Sequence, residues 1–97
     1  MLQVARTNGT LPAVRGELDL SNSSALEVWL ESLDGELVDV DAVTFFDSCA
    51  LGAFLRARQR KPQLRIVNPS TAVAKVLEIT GMLDYLVDVR QDAQELA

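Results

Sequence analysis

The chain has 97 residues and a mass of 10.6 kDa, so its strands and helices must share one core and leave no room for a second active domain. Nine basic residues against fourteen acidic give a formal charge of −5, a field that repels phosphate backbones and anionic lipid, and nucleic acid is not an expected partner. Histidine is absent and Cys49 is the single cysteine, which removes intrachain disulfides, Cys/His zinc sites, imidazole acid–base chemistry and histidine-activated nucleophiles. These absences argue against an enzyme. The apolar runs are too short to span a membrane, and residues 1–9 have neither the apolar core nor the cleavage site of a signal peptide. The expectation is a soluble cytoplasmic domain over residues 1–97, with no membrane insertion, no metal and no cofactor.

Residues 2–6 and 11–16 are short β-prone runs separated by Thr7-Asn8-Gly9-Thr10, whose Asn-Gly pair predicts an opening hairpin. Pro12, which cannot donate to a ladder, belongs near the start of the second strand or on an edge. The polar residues 19–24 lead into a helix that Ser24 and Glu27 would open as a capping box; Leu26, Trp29, Leu30 and Leu33 repeat at helical spacing, and Gly35 is the expected stop. Trp29 on that stripe reads as core. Residues 36–40 alternate as a strand, and a second helix is expected from about Ser48 to Arg60, before Pro62. Residues 64–67 form another strand. Asn68-Pro69 reads as a cap followed by proline at the first helical position, opening a third helix with Val73, Val76 and Leu77 as its apolar stripe and Gly81 at its end. Residues 85–89 read as a short edge strand and residues 90–97 as a helix or a frayed end. The order ββαβαβα predicts an α/β fold, a mixed, mostly parallel sheet of four to five short strands with helices packed over it.

The junction within residues 37–60 is the most specific stretch. A short strand with an acidic fringe runs through an aromatic corner at Phe45 and Phe46 into Asp47 and Ser48 at the start of an amphipathic helix. A serine hydroxyl on the first turn sits among free backbone N–H groups at the positive end of the helix dipole, which suits it to carry a phosphate. On a wheel of 100° per residue Leu51, Phe54 and Leu55 fall together with Arg58 beside them, while Cys49, Ala53, Arg56 and Arg60 fall opposite, flanked by Ser48 and Gly52. The exposed first turns would then present small side chains around one hydroxyl, open to a close approach by a partner. Taken alone, Ser48 also fits a helix cap or first-turn residue, Asp47 a structural cap, Asp19 either a strand-end acid or a contact residue, and Cys49 a small exposed side chain. The cluster Arg56, Arg58, Arg60 and Lys61 suits a helix C-terminus without a partner.

GELDL at residues 16–20, FFDSCALG at 45–52 and NPSTAVAKVLEITGML at 68–83, in that order, resemble the STAS domain, in particular the bacterial anti-sigma factor antagonists. The resemblance covers nearly the whole chain. It implies that Ser48 matches a phosphoacceptor serine in an Asp-Ser-x-Gly-Leu motif, Asp47 the acid before it, and Asp19 an acid near the partner's contact surface. Cys49, Gly52, Ala53 and Arg56 complete the expected partner-binding face. It further implies an anti-sigma factor with serine kinase activity as partner and a phosphatase to reverse the modification: the dephosphorylated domain holds the anti-sigma factor and frees sigma, and the phosphorylated one lets go. Two positions depart from the motif, Cys49 where serine is frequent and Ala50 where glycine is usual; alanine favours the helix over glycine by about 1 kcal/mol and leaves a hydroxyl two residues earlier undisturbed. A free-standing STAS domain also resembles accessory subunits that bind the ATPase of lipid-transport ABC complexes, although those often carry threonine followed by glycine at the motif. A small nucleotide-hydrolysing enzyme is disfavoured because no phosphate-cradling glycine-rich loop is present.

Overall fold

The structure is a computed structural model that describes residues 1–88. Its elements run β1 (Gln3–Arg6), β2 (Pro12–Leu18), α1 (Ser23–Ser32), β3 (Leu37–Asp39), β4 (Val43–Phe46), α2 (Ser48–Arg60), β5 (Arg65–Val67), α3 (Thr71–Thr80) and α4 (Leu83–Leu86). The sheet order is β1-β2-β3-β5, with β4 also paired to β2; β1 is antiparallel to β2 and every other pairing is parallel. The mixed, mostly parallel five-stranded sheet with helices packed over it is the fold class that the sequence predicts.

The hairpin forms where expected, with Pro12 opening β2, and the Thr10 N–H donates to the Thr7 carbonyl at 2.9 Å. The left-handed residue of the turn is Thr10 (φ 66°), not Gly9. Along β2, Val14 and Leu18 are buried while Arg15 and Glu17 face solvent, the period-2 alternation of a strand with one covered face. Gly16 (φ 81°) sits where the β2–β4 register shifts, a bulge whose backbone only glycine adopts cheaply.

The single strand expected after α1 is two. Asp39 ends β3 because its Oδ1 accepts from the Asp41 N–H at 2.9 Å, and the Val43 N–H then donates to the Val40 carbonyl at 3.1 Å, turning the chain before β4 begins. The Asp39 carboxylate also accepts from the Asn68 side-chain amide at 2.7 Å. Asn68 is itself left-handed (φ 53°), which delays α3: Ser70 and not Asn68 is the cap, its hydroxyl accepting from the Val73 N–H, and Pro69 precedes the helix. Gly81 (φ 75°) ends α3 as predicted, with the Met82 N–H returning to the Leu77 carbonyl at 2.8 Å.

α1 begins at Ser23 with Asn22 before it, and no Ser24 capping box forms; it ends at Ser32, short of Gly35. Lys61 closes that end instead, donating to the Leu33 and Gly35 carbonyls. The edge strand expected over residues 85–89 is replaced by α4 and one parallel bridge between Val87 and Ile66; residue 89 and the polar tail over 90–97 lie outside the described residues.

α2 spans Ser48–Arg60 as expected, but its buried face is wider than the wheel predicts. Ala50, Leu51, Ala53, Phe54, Ala57 and Arg58 are all buried, and Phe54 packs against Phe46 at a ring separation of 5.9 Å. Arg58 lies over the Tyr85 ring at 4.0 Å and donates to the Pro62 and Tyr85 carbonyls, clamping α4 onto the end of α2. The expectation that Ala53 faces solvent is wrong: its exposure is 0%. Large apolar residues alone set the wheel's core direction, whereas α1 packs against α2 and the alanine flank of that helix is buried as well. The two helices run parallel, tied by Arg56–Glu27 at 2.7 Å and Arg60–Glu31 at 3.0 Å, one turn apart on each. Such exposed pairs fix register more than they stabilise.

Two substitutions test this packing by urea denaturation. Phe54→Ala should cost about 3–5 kcal/mol through the cavity it leaves. Ala53→Glu should also destabilise, by on the order of 3 kcal/mol or more, because it forces a carboxylate into an apolar contact between helices; a stability unchanged from the unmodified protein would mean that this flank is open.

Candidate functional site

β2 and β4 lie side by side and parallel, with Glu17 opposite Phe45 and Leu18 opposite Phe46. Their C-terminal ends therefore release Asp19 and Asp47 at the same edge of the sheet, and the Asp47 N–H donates to the Leu18 carbonyl at 3.3 Å. Beyond that edge α1 and α2 run side by side, joined by Glu27–Arg56 and Glu31–Arg60. The strand pairing thus brings Asp19 to the edge where Asp47 and Ser48 open α2, far from it in sequence.

Asp47 is the N-cap of α2, its Oδ1 accepting from the Ala50 N–H at 3.0 Å. Ser48 is the first helical residue and is exposed. Its hydroxyl is left over from the capping arrangement, because Asp47 performs the task that a capping serine would. Cys49 is a free thiol, half-buried rather than fully exposed.

Asp19 is held by its own loop. Its Oδ1 accepts from both the Ser21 hydroxyl at 2.6 Å and the Ser21 N–H at 2.9 Å, while Asn22 ties the loop to the strand by accepting from the Asp19 N–H and donating to the Glu17 carbonyl. The Ser21 hydroxyl, then the Ser21 N–H, hold the Asp19 carboxyl below its ordinary value of 3.8. It carries full charge at neutral pH.

Gly52 and Arg56 continue the face along α2. The Arg56 Nη1 lies 3.0 Å from where a Cβ on residue 52 would stand, so the guanidinium rests in the notch that glycine leaves while its Nε reaches Glu27. Of the residues expected at this face, Asp19, Asp47, Ser48, Cys49, Gly52 and Arg56 gather at one end and along one side of α2. Ala53 does not join them, since a fully buried methyl offers a partner nothing to touch. Sequence reasoning missed Leu20 and Phe45, which are 75% and 49% exposed beside the same edge. An apolar residue next to a strand reads as core until the strand ends are placed. The Asp-x-Ser-Asn run of the Asp19 loop was a usable signal for Ser21 and Asn22, because a short acid followed two residues later by a backbone N–H is the Asx-turn pattern. A surface depression lined by Arg6, Leu11, Leu33 and Leu37 lies at the opposite end of the sheet, remote from Ser48.

The strand order, the bulged β2 and a polar face built around the start of α2 describe a small module made to present a surface. The STAS domain family model matches residues 2–96, nearly the whole chain, and the chain belongs to the STAS domain family. No curated protein matches the chain significantly. STAS domains are generally non-enzymatic modules that bind other proteins. Among the described residues no helix is long and apolar enough to cross a membrane.

The loop chemistry at Asp19 gives a pH prediction. A carboxyl whose folded pKa is depressed contributes stability above its unfolded pKa and loses it as pH falls through the folded value, so its share should vanish only in acid below about 3.8. Carbon-detected NMR should find the Asp19 midpoint below that value, and Ser21→Ala should raise it; an unmoved midpoint would remove Ser21 as the cause. Independently, Asp47→Ala should cost about 0.5–2 kcal/mol by urea denaturation while leaving the fold intact, the usual loss for an N-cap.

Proposed function

We propose that this domain is an anti-sigma factor antagonist, a binding module that in its dephosphorylated form sequesters a kinase-type anti-sigma factor and so frees a sigma factor. Phosphorylation of Ser48 switches it off, and a phosphatase restores it. The observation that carries the reading is Ser48 itself: an exposed hydroxyl on the first turn of α2, relieved of capping duty by Asp47, within the run FFDSCALG that resembles the antagonist motif. Asp19, Cys49, Gly52 and Arg56 form the surrounding contact face.

The chain supplies the acceptor, and the partner supplies the nucleotide, metal ligands and base for transfer. Phosphate adds about −1.5 to −2 charge at pH 7 where Asp19 and Asp47 already stand, and replaces a close hydroxyl contact with a bulky hydrated anion. A loss of about 3–4 kcal/mol at the interface would weaken binding roughly a hundred- to a thousand-fold. No refolding is required for that change.

Incubating the unmodified protein and Ser48→Ala with the cognate kinase and ATP, then mapping phosphate by mass spectrometry, tests the assignment. Ser48→Ala should fold, resist phosphorylation and hold the kinase persistently, and Ser48→Asp should fold nearly as well but bind weakly. Phosphate on another residue, or equal labelling of both proteins, would sink the proposal. Affinity capture with Ser48→Ala from the native cell should recover a kinase-type anti-sigma factor; recovery of an ABC ATPase would support the accessory-subunit reading instead.

A further inference from the structure

We infer that Arg56 is a phosphate-binding residue of the switch: once Ser48 carries phosphate, the Arg56 guanidinium takes hold of it across the notch at Gly52. This rests on the reading of Ser48 as the phosphoacceptor, and adds to it an intramolecular receptor for the modified state.

The geometry comes from three residues. The Arg56 Nη1, Cζ and Nη2 stand 3.0, 3.7 and 3.8 Å from the position of a Cβ on residue 52, so the guanidinium occupies the place that a side chain at 52 would fill. Positions 48 and 52 are one turn apart on the same helix face, where Cβ atoms are about 5–6 Å from each other. The guanidinium is therefore displaced toward the N-terminus of α2 and lies one turn from Ser48, although its own Cα is two turns away. Among the described residues only Nε is engaged, by the Glu27 carboxylate at 2.7 Å, and the Nη1 and Nη2 edge faces Gly52. A phosphate on Ser48 laid along α2 meets that edge, and arginine offers two parallel donors of the kind that phosphate accepts. Glu27 keeps its hold on Nε and acts as the backstop that stops the side chain from extending into solvent.

The clamp gives the switch a second effect besides repulsion. The phosphate is folded down onto the guanidinium that already fills the notch at Gly52, so a bulky charged pair covers this stretch of α2 in place of a lone cation. Gly52 is the slot that admits the guanidinium, occupied before phosphorylation and kept after it. The carboxylates of Asp47 on α2 and Asp19 on the β2–α1 loop oppose phosphate ionisation, and the Met1 ammonium, which acts on Asp19, offsets part of that. Arg56 is the cation on α2 that favours it through the Gly52 notch.

The test installs phosphoserine at position 48 by genetic-code expansion, without any kinase, and follows the phosphorus NMR signal with pH. Asp19, Asp47 and the helix dipole act equally on every variant, so differences report the guanidinium. In the otherwise unmodified protein the phosphate should titrate about half a unit lower than in Arg56→Gln, as expected for a cation within a few ångströms. Gly52→Ala, which pushes the guanidinium out of its notch, should raise the midpoint most of the way toward that of Arg56→Gln, and Arg56→Lys should fall between. Equal midpoints in the unmodified protein and Arg56→Gln would overturn the inference, as would a Gly52→Ala midpoint that does not move. Because the phosphate is placed chemically, a kinase that labels some other residue would sink the proposed function without altering this measurement.

Discussion

The parallel pairing of β2 with β4 is the constraint on which the rest of the site depends. Once Leu18 lies opposite Phe46, the chain leaving each strand must emerge at the same edge, and the Asp47 N–H closes the gap by donating to the Leu18 carbonyl. Asp19 comes to the edge at which Asp47 and Ser48 open α2, far from it in the chain. The pairing in turn requires the bulge at Gly16, whose positive φ lets β2 shift its register between β3 and β4. Any other residue at that bulge would adopt a left-handed backbone at a cost of roughly 1–2 kcal/mol.

Alanine sets the second layer of the architecture. Ala50, Ala53 and Ala57 give α2 a flat flank, and a second helix packs beside it while Phe54 and Leu51 enter the core beneath. This close packing makes the two interhelical ion pairs possible, and Arg56, paired with Glu27, lies back along α2 over Gly52 toward the Ser48 end. The exposed ion pairs add little stability by themselves. Their consequence is positional: a cation that would otherwise wave in solvent rests at Gly52.

The electrostatics of the face suit a module whose state is set by charge. Asp47 spends its carboxylate on the helix cap and Asp19 spends its own on the Ser21 turn, so both are fixed in place, and neither binds the serine. The added phosphate of the proposed switch thus enters a site with acids at one end and a guanidinium at the other. Exposed Leu20 and Phe45 supply apolar area at the rim, the sort of side chain that contributes to a protein interface when a partner covers it.

Local chemistry made much of this legible in advance. The turn at Asn8-Gly9, the bounds of α2, the Gly81 stop and the Asp47 cap all follow from short-range patterns, because each depends on residues a few positions apart, and the alternation of strand and helix patterns along the chain indicated the mixed sheet. The motif around Ser48 was readable for the same reason. What the sequence alone did not determine depends on distant partners. Asp39 breaks its strand through the turn it makes, and Asn68 reaches back to that carboxylate, so one expected strand becomes two and α3 starts late. Asn22 serves the Asp19 loop and leaves α1 without the predicted capping box. Ala53 was read as surface because a wheel weights residues by their own hydrophobicity, whereas burial is decided by what lies alongside, and only the packed position of α1 turns a small exposed-looking methyl into core. The sequence by itself determined which residues could carry a charge-controlled surface; tertiary structure decided which of them meet, because adjacency across a sheet and between helices is a property of register and not of spacing.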